Sequence, residues 1–206
     1  MEKIIYIIFL LYLENSDFYK KINILYEPSS YSFIVNKNNK LTKNYIPNDL
    51  ELLDTKYSCK EKYLRHDAKI AFEKMAKEAK LNGYNIIAVS AYRSYEYQYK
   101  LYNNYVTTKG FYYADIASAR AGHSEHQTGL SVDISDLTLD YDNFEKTKEF
   151  LWVKDNAHKF GFIMRYPKAK FHITGFKYEP WHYRYVGTSI ATYIYNNNIT
   201  LEELKK

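Results

Sequence analysis

Two short stretches hold the residue types that do chemistry. Ser124-Glu-His-Gln-Thr-Gly-Leu-Ser-Val-Asp133 carries His126 and Asp133, and Glu179-Pro-Trp-His182 carries His182 with Glu179 three residues ahead of it. Two imidazoles and one carboxylate form a three-ligand set that leaves the fourth position of a zinc ion open to water. A further carboxylate beside that water can take its proton. The plainer alternative stays equally open on spacing alone: histidines satisfied in a core, and an aspartate among serines acting as a turn or cap.

The local pattern says how these side chains would be held. In Leu130-Ser-Val-Asp-Ile-Ser135, Leu130, Val132 and Ile134 share one face of a strand and Ser131, Asp133 and Ser135 the other. The apolar face belongs to a core, so Asp133 is expected to project toward a cleft. Gly129 permits a tight turn into that strand, which lets His126 fold back onto Asp133. His182 alternates with Trp181 and Tyr183, and Pro180 interrupts any continuous ladder, bending Glu179 toward His182. His123 has a spacing to His126 that a metal on a helix would also accept. His123, His66, His158 and His172 are read as structural or surface residues, and Glu125 is the alternative to Glu179 as a base.

The flanking elements follow from periodicity. Leu64, Ala68, Ala71, Phe72, Met75 and Ala79 recur at helical spacing, with Asn82-Gly83 as the stop. Tyr84–Ala91 is a β-type run around Ile86–Ser90, and Ser94 caps a helix running to about Thr108, with Gly110 beyond its end. Residues 113–129 read as irregular. A third helix spans Glu145–Phe160 and closes at Gly161, Phe162–Tyr166, Phe171–Ile173 and Trp181–Val186 are strands, and Thr188–Asn197 is a last helix. Helices early and late with strands clustered between them indicate an α+β fold, an antiparallel sheet flanked by helices.

Residues 1–30 read as a hydrophobic segment and arm, and residues 31–206 as the folded domain. Ile4–Leu13 is apolar or Tyr throughout, too short for a bilayer span of about 20 residues but matched to a signal-peptide core. An export signal or membrane tether is the favoured reading. The neutral Glu2-Lys3 start and the lack of a small-x-small site keep a buried terminal element open. Residues 14–60 are polar and broken by turns, with Tyr31–Val35 as a short strand. Cys59 is the single cysteine, which excludes a disulfide framework and a Cys-based zinc site. The net charge of +5 suits an anionic envelope. No Arg-rich stripe or nucleic-acid motif accompanies it, so nucleic acid is not an expected partner. The 24 tyrosines rise together with Lys, Asn and Ile, a pattern of codon bias that also suits half-wet clefts.

Ser90-Ala-Tyr-Arg-Ser94 with Gln98, Gly122-His-Ser-Glu-His-Gln-Thr-Gly-Leu-Ser-Val-Asp133, Gly161-Phe-Ile-Met-Arg-Tyr-Pro167 and Glu179-Pro-Trp-His-Tyr-Arg-Tyr-Val-Gly187 resemble the VanY-type D-alanyl-D-alanine carboxypeptidases. These bacterial zinc peptidases trim peptidoglycan stem peptides on the Hedgehog/D,D-peptidase fold, and the resemblance covers roughly residues 31–205. It implies His126, Asp133 and His182 as ligands of one zinc ion per chain, Glu179 as the base and Arg93 as stabiliser of the transition state. It also implies that Gln98, Ser124 and Ser131 contact substrate. Removal of a C-terminal D-alanine by a D,D- or L,D-carboxypeptidase would follow, in a monomer secreted or anchored at the bacterial envelope. Two positions depart from the family pattern: Ala121 precedes Gly122 where many relatives have Pro, and Ser131 stands where many have Ala. An endopeptidase and a non-catalytic zinc module are the rivals. The presence of both Glu179 and Arg93 speaks against the second.

Overall fold

The computed structural model describes residues 18–26, 28 and 30–204; the hydrophobic segment Ile4–Leu13, and with it the signal-or-tether reading, lies outside the described residues. Two small ladders come first. β1 (Asn23–Leu25) runs parallel to β2 (Asn39–Leu41), and β3 (Leu50–Leu52) antiparallel to β4 (Tyr63–Arg65). Tyr31–Val35 is not a strand. Nor is the segment after it a loose arm, because Val35, Leu41 and Leu53 are buried in the body of the protein. Arg184 also donates to the carbonyls of Tyr31 and Phe33, both at 3.0 Å. Burial here depends on a distant arginine, which a local reading of polar residues cannot register.

α1 (His66–Leu81) buries Ala68, Phe72, Met75, Ala76 and Ala79 along one stripe. β5 (Ile87–Ser90) leads to α2 (Tyr95–Lys109), where Ser94 Oγ accepts from the Tyr97 N–H as the expected cap. The stretch expected to be irregular contains α3 (Phe111–Ala117) and a 3-10 turn at Glu125–Thr128. α3 buries only Ala114 and Asp115, too little apolar surface to leave a periodic signal. β6 (Ser131–Ser135) follows.

The single helix expected over Glu145–Phe160 is three pieces: a 3-10 turn at Phe144–Lys146, α4 (Lys148–Asn156) capped by Thr147, and a 3-10 turn at Ala157–Phe160. Gly161 ends it at φ +84°, where a Cβ would meet the Tyr185 ring at 2.7 Å. β7 (Phe162–Tyr166) is followed by α5 (Phe171–Thr174), a helical turn where a strand was expected. The Ile173 and Thr174 N–H groups turn back onto the Lys170 carbonyl, so no ladder forms there. β8 (Glu179–Tyr185) and α6 (Thr188–Asn197) follow, and a 3-10 turn at Leu201–Glu203 is the last described element.

The central sheet is antiparallel in the order β5-β6-β8-β7. Its apolar side packs Val132, Ile134, Phe162 and Tyr183 with Phe72 and Met75 of α1 in one core. The other side is covered too. All five β6 residues are buried, so the polar face expected to open on a cleft is roofed over except at Asp133. Among the described residues, no helix is long and apolar enough to cross a membrane.

Candidate metal centre and cleft

Strand register makes the centre. Asp133 of β6 pairs directly with His182 of β8, which brings residues 49 positions apart side by side. His126 arrives from the 3-10 turn that Gly129 ends in the left-handed conformation, φ +66°. The His126 carbonyl accepts from the Arg93 N–H, tying the turn to the chain entering α2.

Each imidazole is oriented by a contact behind it. His126 Nδ1 lies 2.6 Å from the Ala91 carbonyl, so it carries the proton. Nε2 is left bare, buried and without a hydrogen bond, 3.3 Å from Asp133 Oδ1. His182 presents the opposite nitrogen: Nδ1 lies 3.1 Å from Asp133 Oδ1, while Nε2 faces Glu125 Oε2 at 3.5 Å. The rings stand nearly perpendicular, 84°, with centroids 4.8 Å apart. One ligand atom from each of His126, Asp133 and His182 falls within 4.8 Å of the others.

The electrostatics ask for a cation. Burial, reinforced by the Arg93 charge, lowers His126 to about 4, so it is a neutral ring with a free lone pair. Burial opposes ionisation of Asp133, but His126 and His182 beside it hold the carboxyl well below its usual range. Burial also opposes charge on His182, yet its contacts with Asp133 and Glu125 carry it up to about 9. Positive charge is therefore favoured between Asp133 and His182. Two nitrogens and a carboxylate oxygen with that demand fit a zinc ion with a position left open.

Two further carboxylates flank His182. Glu179 Oε2 lies 3.8 Å from His182 Nδ1 on the cleft side. It reaches there because β8 bulges at Pro180: between the pairs Met164–Tyr183 and Tyr166–Glu179, three residues of β8 face one of β7. Burial pushes the Glu179 carboxyl up to about 7. Glu125 lies on the far side, fully enclosed, with Oε1 accepting from Arg165 Nε at 2.8 Å and Arg184 Nη1 at 2.9 Å. Burial works against its charge, but the two guanidinium groups outweigh it and hold Glu125 far below the usual carboxylate range. Arg165 in turn grips Glu202 at 2.6 and 2.8 Å. A carboxylate fixed this way is a poor proton acceptor, which removes the case for Glu125 as the base.

The open side is a cleft of about 340 Å³ whose wall includes Arg93, Ser124, Tyr113, Lys177, Glu179 and Trp181. Arg93 Nε is buried without a hydrogen-bond partner. Ser124 Oγ accepts from the His126 N–H at 3.3 Å. Gln98 and Ser131 do not reach the cleft wall. Gln98 Nε2 donates to Ser118 Oγ and the Ala119 carbonyl, bracing the loop that forms the wall, and the Ser131 hydroxyl donates to Glu125. Both are nearly or wholly buried. His123 stands apart, its Nδ1 against the Asn36 carbonyl and its ring edge-on to Tyr19. Sequence reading missed the pairing of Glu125 with Arg165 and Arg184. The available signal was Arg184, a charge in mid-strand on the same face as His182, which needs a buried partner.

The family model described as VanY, D-alanyl-D-alanine carboxypeptidase, matches residues 61–188. The chain is 44% identical over 189 residues to the putative carboxypeptidase YodJ of Bacillus subtilis, covering 88% of this chain and 69% of that protein. Its fold is similar to the LdcB LD-carboxypeptidase, a structure described as showing peptidoglycan recognition, with TM-score 0.77, 46% identity and coverage of 82% and 83%. It is also similar to the D,D-pentapeptidase VanY of a VanB-type vancomycin resistance cassette, crystallised as a mutant with Zn(II), with TM-score 0.72, 33% identity and coverage of 84% and 97%.

Proposed function

The chain belongs to the VanY D-alanyl-D-alanine carboxypeptidase family, and on that premise we propose that it removes the C-terminal D-alanine of peptidoglycan stem peptides at the cell envelope, using one zinc ion held by His126, Asp133 and His182. The observation that carries this reading is the convergence of three ligand atoms, one of them the unpartnered His126 Nε2, beside a carboxyl raised to about 7. Zinc held there supplies a Lewis acid for the scissile carbonyl and lowers the pKa of water to about 7.

The side chains divide the remaining work. Glu179 accepts the proton of the attacking water and returns it to the leaving amine. Burial raises this carboxyl in the metal-free site, and a carboxylate beside the bound water can serve both directions of transfer. Arg93 lines the cleft with its buried Nε unpartnered, and its fork can hold the developing oxyanion. Ser124, on the same wall, is available to the terminal carboxylate. Gln98 and Ser131 act one step back, through the Ser118–Ala119 loop and through Glu125. Glu179 is itself only 7% exposed, which limits the access of bulk water to the proton transfers.

The 46% identity to an LD-carboxypeptidase, against 33% to a D,D-pentapeptidase, supports placing a tetrapeptide stem first among the substrates to test. Zinc-loaded protein is incubated with synthetic tetra- and pentapeptide stems and the products are read by mass. Release of D-alanine from either is expected. No release from both, by folded protein with stoichiometric zinc, ends the carboxypeptidase reading.

A further inference from the structure

The cleft wall carries three cationic side chains, Arg93, Lys109 and Lys177, alongside the carboxylates of Glu125, Asp133, Asp142 and Glu179. Arg93 stands on the wall that holds His126, through its N–H to the His126 carbonyl. Lys177 stands at the other side, two residues before Glu179, with its own N–H bonded to the Ile116 carbonyl at the end of α3. Its Nζ lies 5.5 Å from the centroid of Tyr113 and 5.7 Å from that of Trp181, so two aromatic faces of the cleft hold it in place. Among the described residues that ammonium makes no hydrogen bond or ion pair, although it is half-buried. Glu179 lies within its electrostatic reach but does not pair with it, so this half-buried lysine on the cleft wall keeps its donors for an anionic group of the substrate. Lys109, exposed farther along the same cleft, adds positive charge.

A peptide crossing the metal centre runs from one wall to the other. With its terminal carboxylate on the side of Arg93 and Ser124, the part it retains after cleavage lies toward Lys177, Tyr113 and Trp181. We propose that Lys177 selects stem peptides bearing a second, non-terminal carboxylate in the retained part, which it pairs with across the Tyr113–Trp181 wall. The inference rests on the carboxypeptidase reading and narrows its substrate class. Two groups present that chemistry: the side-chain carboxylate of a diaminopimelate residue, and the free α-carboxylate of a γ-linked glutamate. Amidation of the glutamate, or lysine in place of diaminopimelate, removes them one at a time.

The test uses zinc-loaded protein and four stem peptides combining diaminopimelate or lysine with glutamate or isoglutamine. kcat/KM is measured for wild type, Lys177→Met and Lys177→Arg. Binding of the same four peptides to zinc-loaded Glu179→Gln protein, with and without Lys177→Met, is measured by calorimetry. A half-buried ion pair is worth about fivefold to tenfold in selectivity. The expected result is that much preference for one carboxylate-bearing series, carried by KM, abolished in Lys177→Met and largely kept in Lys177→Arg. Whether the preference follows diaminopimelate or glutamate identifies the carboxylate. Equal kcat/KM and equal binding across the four peptides overturn the inference, as does a preference that survives Lys177→Met. If no peptide is turned over, the calorimetric preference still decides the role of Lys177, while the carboxypeptidase reading alone falls.

Discussion

Glu179 and Glu125 lie on opposite sides of the same imidazole, both buried, and they have opposite chemistry. Glu179 faces the cleft, 3.8 Å from His182 Nδ1, with no guanidinium in contact, and burial lifts its carboxyl to about 7. Glu125 faces His182 Nε2 from behind, and Arg165 and Arg184 keep it ionised despite complete enclosure. Without metal, one carboxyl is therefore raised toward neutral pH; the other is a fixed charge facing the ring. Burial alone assigns neither role. The number of cations in contact decides between them.

That division can be broken from either side. The largest effect is expected from the ligands that both carboxylates serve: His126→Ala should lose most of the bound zinc by elemental analysis, and activity with it. His123→Ala should keep its zinc, since His123 turns to Asn36 instead. Glu179→Gln should cost about 10²–10⁴ in kcat with zinc content and melting temperature nearly unchanged. Near-normal turnover would return the base to another group.

Glu125→Ala should show the converse. Removing it leaves Arg165 and Arg184 buried beside His182 without their shared anion, and breaking such a pair costs about 3–5 kcal/mol. Denaturant unfolding would read this as a lower midpoint; a midpoint like that of wild type would mean Glu125 is not the keystone described. Arg93→Lys should lower kcat about tenfold or more with KM little changed, because an ammonium cannot reproduce the planar fork. A raised KM at normal kcat would instead make Arg93 a ground-state anchor.

The smallest effect is in pH dependence, and its sign separates the two carboxylates. In zinc-stripped protein, Glu179 has a raised pKa when folded. Between its ordinary 4.5 and about 7 the unfolded chain has released the proton and the folded chain has not, so stability from this group falls as pH rises. Glu125 has a lowered pKa, so its contribution is full above 4.5 and is lost as pH falls below it. Subtracting the stability profile of Glu179→Gln from that of wild type should give a descending step between about pH 4.5 and 7. A flat difference would place Glu179 in contact with more positive charge than described.

Much of the scaffold was legible because its signals are local. Ser94 caps α2, Asn82 and Gly83 stop α1, and Gly161 turns the chain into β7, each through contacts within a few residues. α5 and the Tyr31–Val35 segment were misread because their conformation depends on distant or weak partners. Arg184 holds the carbonyls of Tyr31 and Phe33, and α5 is too short for periodicity to distinguish it from a strand. The assignment of Gln98 and Ser131 to substrate contact came from motif position. Their burial behind the wall depends on Ser118, Ala119 and Glu125, which no spacing rule connects to them.

Sequence by itself offered two imidazoles, Asp133 and Glu179 at spacings that a strand, a glycine turn and a proline bend can use, and the family-like motifs singled them out from a structural reading that spacing left equally open. Those spacings were legible because alternation, Gly129 and Pro180 act within a few residues. Only the tertiary structure decided which nitrogen each histidine presents, which glutamate carboxyl is raised and which is held ionised, and which cations line the cleft. Those outcomes depend on the β6–β8 register, on desolvation, and on guanidinium groups arriving from 40 and 59 residues away. Such long-range electrostatics have no counterpart in local pattern.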